Sequence, residues 1–127
     1  MKLLLEECVD ERLRLRFSDR DCQTARFANL SGLSDNELLD AAEAAGFEVL
    51  ITVDQRIPYQ QNLENRTISI VILVAATNRL EDLEAPAGQL LAKLASLSPG
   101  QVLTIRWQGA EKRGQTQLAA FFGHVLN

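Results

Sequence analysis

The segment from Glu48 to Asp54, which reads Glu-Val-Leu-Ile-Thr-Val-Asp, places the strongest constraint on the fold. A short apolar run bounded by turn residues is typical of a strand that is buried on both faces of a sheet. A lone carboxylate is costly to bury, so Asp54 is expected just beyond the end of this strand. Ligands of open α/β sheets bind at that carboxyl edge, which makes Asp54 a candidate site residue.

Strand-like and helix-like segments alternate along the rest of the chain. The predicted strands are residues 2–5, 21–25, 48–54, 68–74 and 102–107, and the predicted helices are residues 9–17, a helix capped by Ser34 and Glu37, and a helix that Asn78 can cap. Ser34 and Glu37 have the spacing of a capping box. This alternation predicts an α/β fold with a mostly parallel central sheet and helices on both faces.

Composition narrows the class of protein. A chain of 127 residues is expected to form one domain, and its net charge of −4 argues against a generally basic nucleic-acid binder while leaving room for a local basic patch. The first residues, Met-Lys-Leu-Leu-Leu, are too short a run for a signal peptide, and no run approaches membrane-spanning length. A cytoplasmic location is therefore expected, with Cys8 and Cys22 as buried free thiols.

Three separate segments each place acidic residues near the expected carboxyl edge of the sheet, and these acids are the candidate site residues. They are Glu6 and Glu7 after the first strand, Asp35 and Glu37 at a helix start, and Asp54. Carboxylates gathered in one cleft need a cation, and oxygen ligands without His or Cys favour Mg²⁺ or Mn²⁺. Taken singly, each acid also has a structural explanation, such as capping a helix for Glu37. Only one of the adjacent pair Glu6 and Glu7 is expected to face the cleft.

Three short motifs occur in the same order as in a known family. Leu-Leu-Leu-Glu-Glu-Cys at residues 3–8, Leu-Ser-Asp-Asn-Glu-Leu-Leu at 33–39 and Val-Leu-Ile-Thr-Val-Asp at 49–54 resemble the small bacterial PIN-like nucleases, which are often proposed toxins of toxin–antitoxin pairs. The resemblance spans roughly residues 2–107. It implies a three-layer α/β/α fold and a Mg²⁺ or Mn²⁺ site that cleaves RNA, with Glu6, Asp35 and Asp54 as its catalytic and metal-binding acids.

The resemblance also shows two departures from the family pattern. Glu6 stands where the family usually has an aspartate, and Arg56 stands where a second aspartate usually follows Asp54. A guanidinium matches phosphate oxygens well, so Arg56 is a candidate for substrate binding, together with Arg79. The polar run Tyr59, Gln60, Gln61 and Asn62 can stack on and hydrogen-bond an unpaired RNA base, or it is an ordinary polar loop.

Two alternatives to a ribonuclease remain open. The first is a PIN-like domain that has lost catalysis and serves as a binding module, an alternative that the arginine at position 56 supports. The second is a phosphorylation receiver domain with Asp54 as the phosphate acceptor and Thr77 after the next strand. A receiver needs a lysine after its last strand, but residues 102–107 lead into Gln108 and Gly109, and the next lysine is Lys112.

The last twenty residues are predicted to be separate from the PIN-like domain of residues 1–107. Residues 108–115 are predicted to be a polar linker, and the spacing of the apolar residues after it predicts an amphipathic helix. The residues on the apolar face of that predicted helix are Leu118, Phe121, Phe122, Val125 and Leu126. An exposed face of this kind is rare on soluble monomers, so residues 118–126 are expected to contribute to a homodimer interface. The predicted partners are an RNA substrate, a second copy of the chain and a cognate antitoxin, without a membrane.

Overall fold

The chain folds around one parallel β-sheet. The computed structural model describes residues 1–57 and 63–107. Within these ranges the sheet has five strands: β1 (Lys2–Leu5), β2 (Asp21–Thr24), β3 (Val49–Thr52), β4 (Ser69–Val74) and β5 (Val102–Arg106). All neighbouring strands pair in parallel, in the order β2-β1-β3-β4-β5. The α/β fold with a parallel sheet is therefore confirmed.

Helical segments connect the strands. The described residues contain the α-helices α1 (Asp35–Ala44) and α2 (Leu80–Lys93), and two 3₁₀ helices at Glu11–Phe17 and Leu94–Ser96. The helix predicted for residues 9–17 is thus present as a 3₁₀ helix that starts two residues later. Its cap is Asp10, whose carboxylate accepts the backbone N–H of Arg12.

Strand burial follows from position in the sheet. Every residue of β3 and β4 is buried, because these strands lie inside the sheet and apolar clusters cover both of its faces. The edge strands are more exposed, and β5 buries only Ile105 fully. The apolar runs in residues 48–54 and 68–74, which predicted central strands, correspond to the central strands β3 and β4.

The apolar core lies on both faces of the sheet, because successive strand residues point to opposite faces. Leu3, Leu5 and Ile51 pack in one cluster with the first 3₁₀ helix and α2. A second cluster, on the other face, contains Leu4, Leu50 and alternate residues of β4, and it packs against α1. The members of this second cluster are Leu4, Ala25, Leu38, Leu39, Ala42, Phe47, Leu50, Ile57, Ile68, Ile70, Ile72 and Val74.

The two α-helices begin in different ways. Ser34 caps α1 as predicted: its hydroxyl accepts the backbone N–H of Glu37 at 3.4 Å and donates to the Glu37 carboxylate at 2.9 Å. The predicted cap of α2 is wrong, because the capping position is Arg79 rather than Asn78 and makes no side-chain capping bond. Near this end, Thr77 accepts the backbone N–H of Arg79 and donates to the buried Asp82.

A polar clamp ties the segment before β4 to α1. Arg66 donates to Glu43 and to Asp40, each at 2.6 Å. The second oxygen of Glu43 accepts the backbone N–H of Thr67 at 2.7 Å and that of Ile68 at 3.2 Å. The clamp fixes where the chain enters β4 at the amino end of the sheet, opposite the edge that carries the predicted site.

Candidate functional site at the ends of β1 and β3

The carboxyl ends of β1 and β3 meet at the point where the strand order changes direction. The chain passes from β1 outward to β2 and then returns to place β3 on the other side of β1. Crevices at such switch points are the usual ligand sites of open α/β sheets. Glu6 directly follows β1, and Asp54 follows β3 by two residues, so the two predicted acids lie at the same edge.

A chain of hydrogen bonds connects Glu6 with the backbone of Asp54 through Thr52. The Thr52 hydroxyl donates to the Glu6 carboxylate and accepts the backbone N–H of Asp54 at 3.0 Å. Glu6 is 9% exposed and Thr52 is fully buried. Thr52 is a site residue that was not predicted from the sequence, although it is the one hydroxyl residue in the otherwise apolar strand β3.

The thiol of Cys8 joins this cluster. It donates to Glu6 at 3.1 Å and lies 3.7 Å from the Thr52 hydroxyl. Burial of the thiol group and its hydrogen bond to the Glu6 carboxylate raise the pKa of Cys8 to about 11. Both cysteines are free, but the prediction that they are buried is wrong, because Cys22 is half-buried and Cys8 is exposed as a whole residue. The sulfur atom of Cys8 is nevertheless partly buried where it contacts Glu6 and Thr52.

Arg56 holds the side chain of Asp54. Its Nε donates to Oδ1 of Asp54 at 3.0 Å, its Nη2 donates to Oδ2 at 3.1 Å, and its backbone N–H donates to Oδ1 at 2.9 Å. These bonds, led by those of the guanidinium, lower the pKa of Asp54. The side chain of Asp54 is 18% exposed and that of Arg56 is 75% exposed. The pair therefore presents a fixed guanidinium to solvent.

The remaining predicted acids have different surroundings. Glu37 belongs to the α1 cap, and Glu7 accepts the backbone N–H of Gly32 at 3.2 Å. Asp35 lies in the first turn of α1, and its negative charge helps to raise the pKa of Arg56 after the larger effect of Asp54. Glu6 acts on Arg56 in the same direction. Arg56 is thus bonded to Asp54 and lies close enough to Glu6 and Asp35 for their negative charges to act on it.

The carboxylates do not form a cage for a metal ion in this arrangement. Among residues 1–57 and 63–107, no three His, Cys, Asp or Glu side chains are grouped so that they can hold one ion. Both oxygens of Asp54 are bound by Arg56, and Oε1 of Glu6 accepts hydrogen bonds from Thr52 and Cys8. The Mg²⁺ or Mn²⁺ that the PIN-like resemblance implies therefore does not fit these side chains as they stand, and its assignment to them stays a prediction.

The predicted substrate-binding residues are only partly covered by the structure. Arg79 occupies the N-cap position of α2, and its side chain is 75% exposed. Its Nη1 lies 3.8 Å from Oε1 of Glu81. Tyr59, Gln60, Gln61 and Asn62 fall in the range 58–62, outside the described residues. The predicted linker and amphipathic segment at 108–127 also lie outside them.

A separate groove of about 490 Å³ lies between the first 3₁₀ helix and the edge strand β2. Its lining includes the ion pair of Arg26 with Glu11, and Phe27, which is 79% exposed. The lining contains none of the predicted site residues. The groove and the β1/β3 edge are therefore distinct features of the surface.

Comparison with known proteins gives no match to a family model, to a curated protein or to a solved structure. No helix among the described residues is long and apolar enough to cross a membrane.

Proposed function

We propose that this chain is a PIN-like domain with three-layer α/β/α architecture that binds single-stranded RNA at the β1/β3 edge. The proposal includes a place in a toxin–antitoxin pair in the cytoplasm, with a cognate antitoxin and a second copy of the chain as protein partners. It rests on the order of the three PIN-like motifs, each of which contributes a residue at or next to this edge.

The single observation that carries the proposal is the oriented guanidinium of Arg56 at the edge. An arginine held by a carboxylate loses less conformational freedom when it binds a phosphate, because its geometry is already fixed. Three-quarters of its side chain is exposed to solvent, so a phosphodiester group can reach it. Arg79, which follows the neighbouring strand β4, offers a second exposed guanidinium for the RNA backbone.

The second candidate function is a Mg²⁺- or Mn²⁺-dependent endoribonuclease with Glu6, Asp35 and Asp54 as catalytic acids. Its support is the position of Glu6 and Asp54 at adjacent strand ends, with Asp35 near enough to act on Arg56. The geometry favours binding over cleavage, because the carboxylates of Glu6 and Asp54 are engaged by neighbouring side chains and no three possible ligands among the described residues are grouped around one ion.

A phosphorylation receiver also has some support, since the strand order 2-1-3-4-5 is one that receivers and flavodoxins share. However, β5 ends at Arg106 and is followed by Trp107 and Gln108, where a receiver needs a lysine. Both carboxylate oxygens of Asp54 are also engaged by Arg56. The receiver is therefore not proposed.

The experiment is a binding titration of a short labelled single-stranded RNA, followed by a denaturing gel of the same mixtures with and without Mn²⁺. We expect saturable binding that weakens as salt rises, with the RNA left intact. Cleavage that requires Mn²⁺ and disappears in Asp54→Asn would establish the endoribonuclease instead. A protein that neither binds nor cleaves RNA would overturn the proposal.

A further inference from the structure

The chain contains the same Asp-x-Arg clasp twice, once after β1 and once after β3. In the first clasp, Arg12 donates to Asp10 from its backbone N–H at 2.9 Å, from Nε at 3.1 Å and from Nη2 at 2.7 Å. In the second, Arg56 makes the same three contacts to Asp54. Both arginine side chains are well exposed, at 69% and 75%. The local chemistry of the two clasps is therefore the same.

The two clasps differ in which further charges surround them. Beyond Asp10, the carboxylate that acts on Arg12 is Glu81 in the first turn of α2. Beyond Asp54, the carboxylates that act on Arg56 are Asp35 and Glu6. The second clasp alone thus brings a permanent positive charge to the three acids that the PIN-like resemblance assigns to a metal ion.

A divalent ion and the guanidinium of Arg56 compete for the same oxygens. Arg56 binds both Oδ1 and Oδ2 of Asp54, so an ion that used this carboxylate would have to displace the guanidinium. Guanidinium groups remain protonated at any pH that proteins tolerate, which makes this charge permanent. They also carry five N–H donors in a planar fork that suits phosphate oxygens.

We propose that the guanidinium of Arg56 takes the place of the divalent ion at this edge, so that the domain binds the RNA phosphate without a metal. This inference rests on the proposed function and specifies its chemistry. Arg56 supplies the positive charge that would otherwise come from Mg²⁺ or Mn²⁺, and Asp54 orients the fork. Glu6 is kept in place by Thr52 and Cys8 rather than by an ion.

The test compares Arg56→Gln with the matched control Arg12→Gln. Both changes remove an exposed guanidinium from an Asp-x-Arg clasp, and circular dichroism verifies that both variants are folded. Affinity for a labelled single-stranded RNA is measured in EDTA and again in Mn²⁺. We expect wild-type affinity to be the same in the two buffers, Arg56→Gln to bind about tenfold more weakly or worse, and Arg12→Gln to change less than about twofold.

The outcomes separate this inference from the proposed function. Wild-type protein that binds RNA only in Mn²⁺, or Arg56→Gln that binds as tightly as wild type, overturns the inference and leaves RNA binding intact. Equal losses in Arg56→Gln and Arg12→Gln also overturn it, since the contribution would then be general surface charge. Wild-type protein that binds no RNA in either buffer overturns the proposed function and this inference with it.

Discussion

Thr52 donates its hydroxyl proton to the carboxylate of Glu6, across the junction between β1 and β3. The same oxygen accepts the backbone N–H of Asp54. The buried side chain of Thr52 therefore donates a hydrogen bond to the carboxylate of Glu6 and holds the backbone of Asp54 in place. The geometry of this edge depends on a residue that has no charge and that the PIN-like motifs do not single out.

Replacing Thr52 with valine tests this role with little change in shape. The variant leaves the nearly buried Glu6 carboxylate without its hydroxyl donor and the Asp54 N–H without its acceptor. Unfolding in urea should show a loss of about 1–3 kcal/mol, which is the usual cost of leaving buried polar groups unsatisfied. The control is Thr104→Val in β5, where the threonine is exposed and the change should stay within about 0.5 kcal/mol. Similar values for both variants would contradict the assigned role.

The Glu43–Arg66 clamp makes stability depend on acid pH. Burial alone would raise the pKa of Glu43, but the hydrogen bonds from Arg66, Thr67 and Ile68 outweigh it and lower the pKa from 4.5 to about 2. A carboxyl group whose pKa falls on folding stabilises the native state above its unfolded pKa. Its contribution, at most roughly 3 kcal/mol, should be present above about pH 4.5 and disappear as the pH falls towards 2.

Glu43→Gln should therefore be less stable than wild type at pH 7 and should lose part of the decline in stability between pH 4.5 and 2. Urea unfolding at a series of pH values measures both effects. Asp40→Asn is the matched control, because Asp40 pairs with the same Arg66 nitrogen at the same 2.6 Å but is 71% exposed. Exposed pairs contribute little, so this change should cost less than about 1 kcal/mol. A pH profile of Glu43→Gln that overlays wild type would contradict the clamp.

The thiol of Cys8 should react slowly with alkylating agents, although the residue is exposed. Its pKa is raised to about 11 by burial and by Glu6, so the reactive thiolate is scarce near neutral pH. In a Cys22→Ser background, which isolates Cys8, the alkylation rate should still be rising at pH 9. Glu6→Gln removes the negative charge and should shift this pH–rate curve to lower pH. An unchanged curve would show that Glu6 does not act on the thiol.

Much of the sheet could be predicted because a strand that is buried on both faces has a continuous run of mostly apolar residues in the sequence. The runs at 49–52 and 69–74 are apolar apart from Thr52 and Ser69, since both faces of these strands are covered, and the Ser34 cap has a recognisable spacing. The pattern did not specify the order of the strands, which depends on contacts between distant segments. The pattern also placed the cap of α2 on Asn78 instead of Arg79. Capping propensity depends on residue type alone, whereas the conformation of the preceding loop determines which residue occupies the N-cap position.

The candidate site was predicted less well, for a physical reason. The sequence shows that an aspartate or glutamate can bind a cation, but the folded conformation determines whether that cation is a metal ion or a neighbouring arginine. The spacing of Asp54 and Arg56 was visible in the sequence, whereas the bond between them requires the turn after β3. The Arg66–Glu43 pair joins residues that are 23 positions apart, and only the paired sheet and helix bring them together.

Gly100, in the loop before β5, lies close to the backbone of Arg66, and substituting it tests this close approach. Its φ of +73° lies in the left-handed region, and a Cβ atom at this position would overlap the carbonyl oxygen of Arg66. Gly46 has a similar φ of +86° but has nothing within 4 Å of the same position. Gly46→Ala should therefore cost only the backbone penalty of about 1–2 kcal/mol.

Gly100→Ala should cost clearly more than Gly46→Ala, because the backbone must also move away from Arg66, whose side chain is anchored by Glu43 and Asp40. The expected difference is at least about 1 kcal/mol, in the range of overpacking effects. Urea unfolding of the two variants at pH 7 gives this difference directly, and the shared backbone penalty cancels. Equal losses would contradict the close approach of the Gly100 loop to the Arg66 carbonyl.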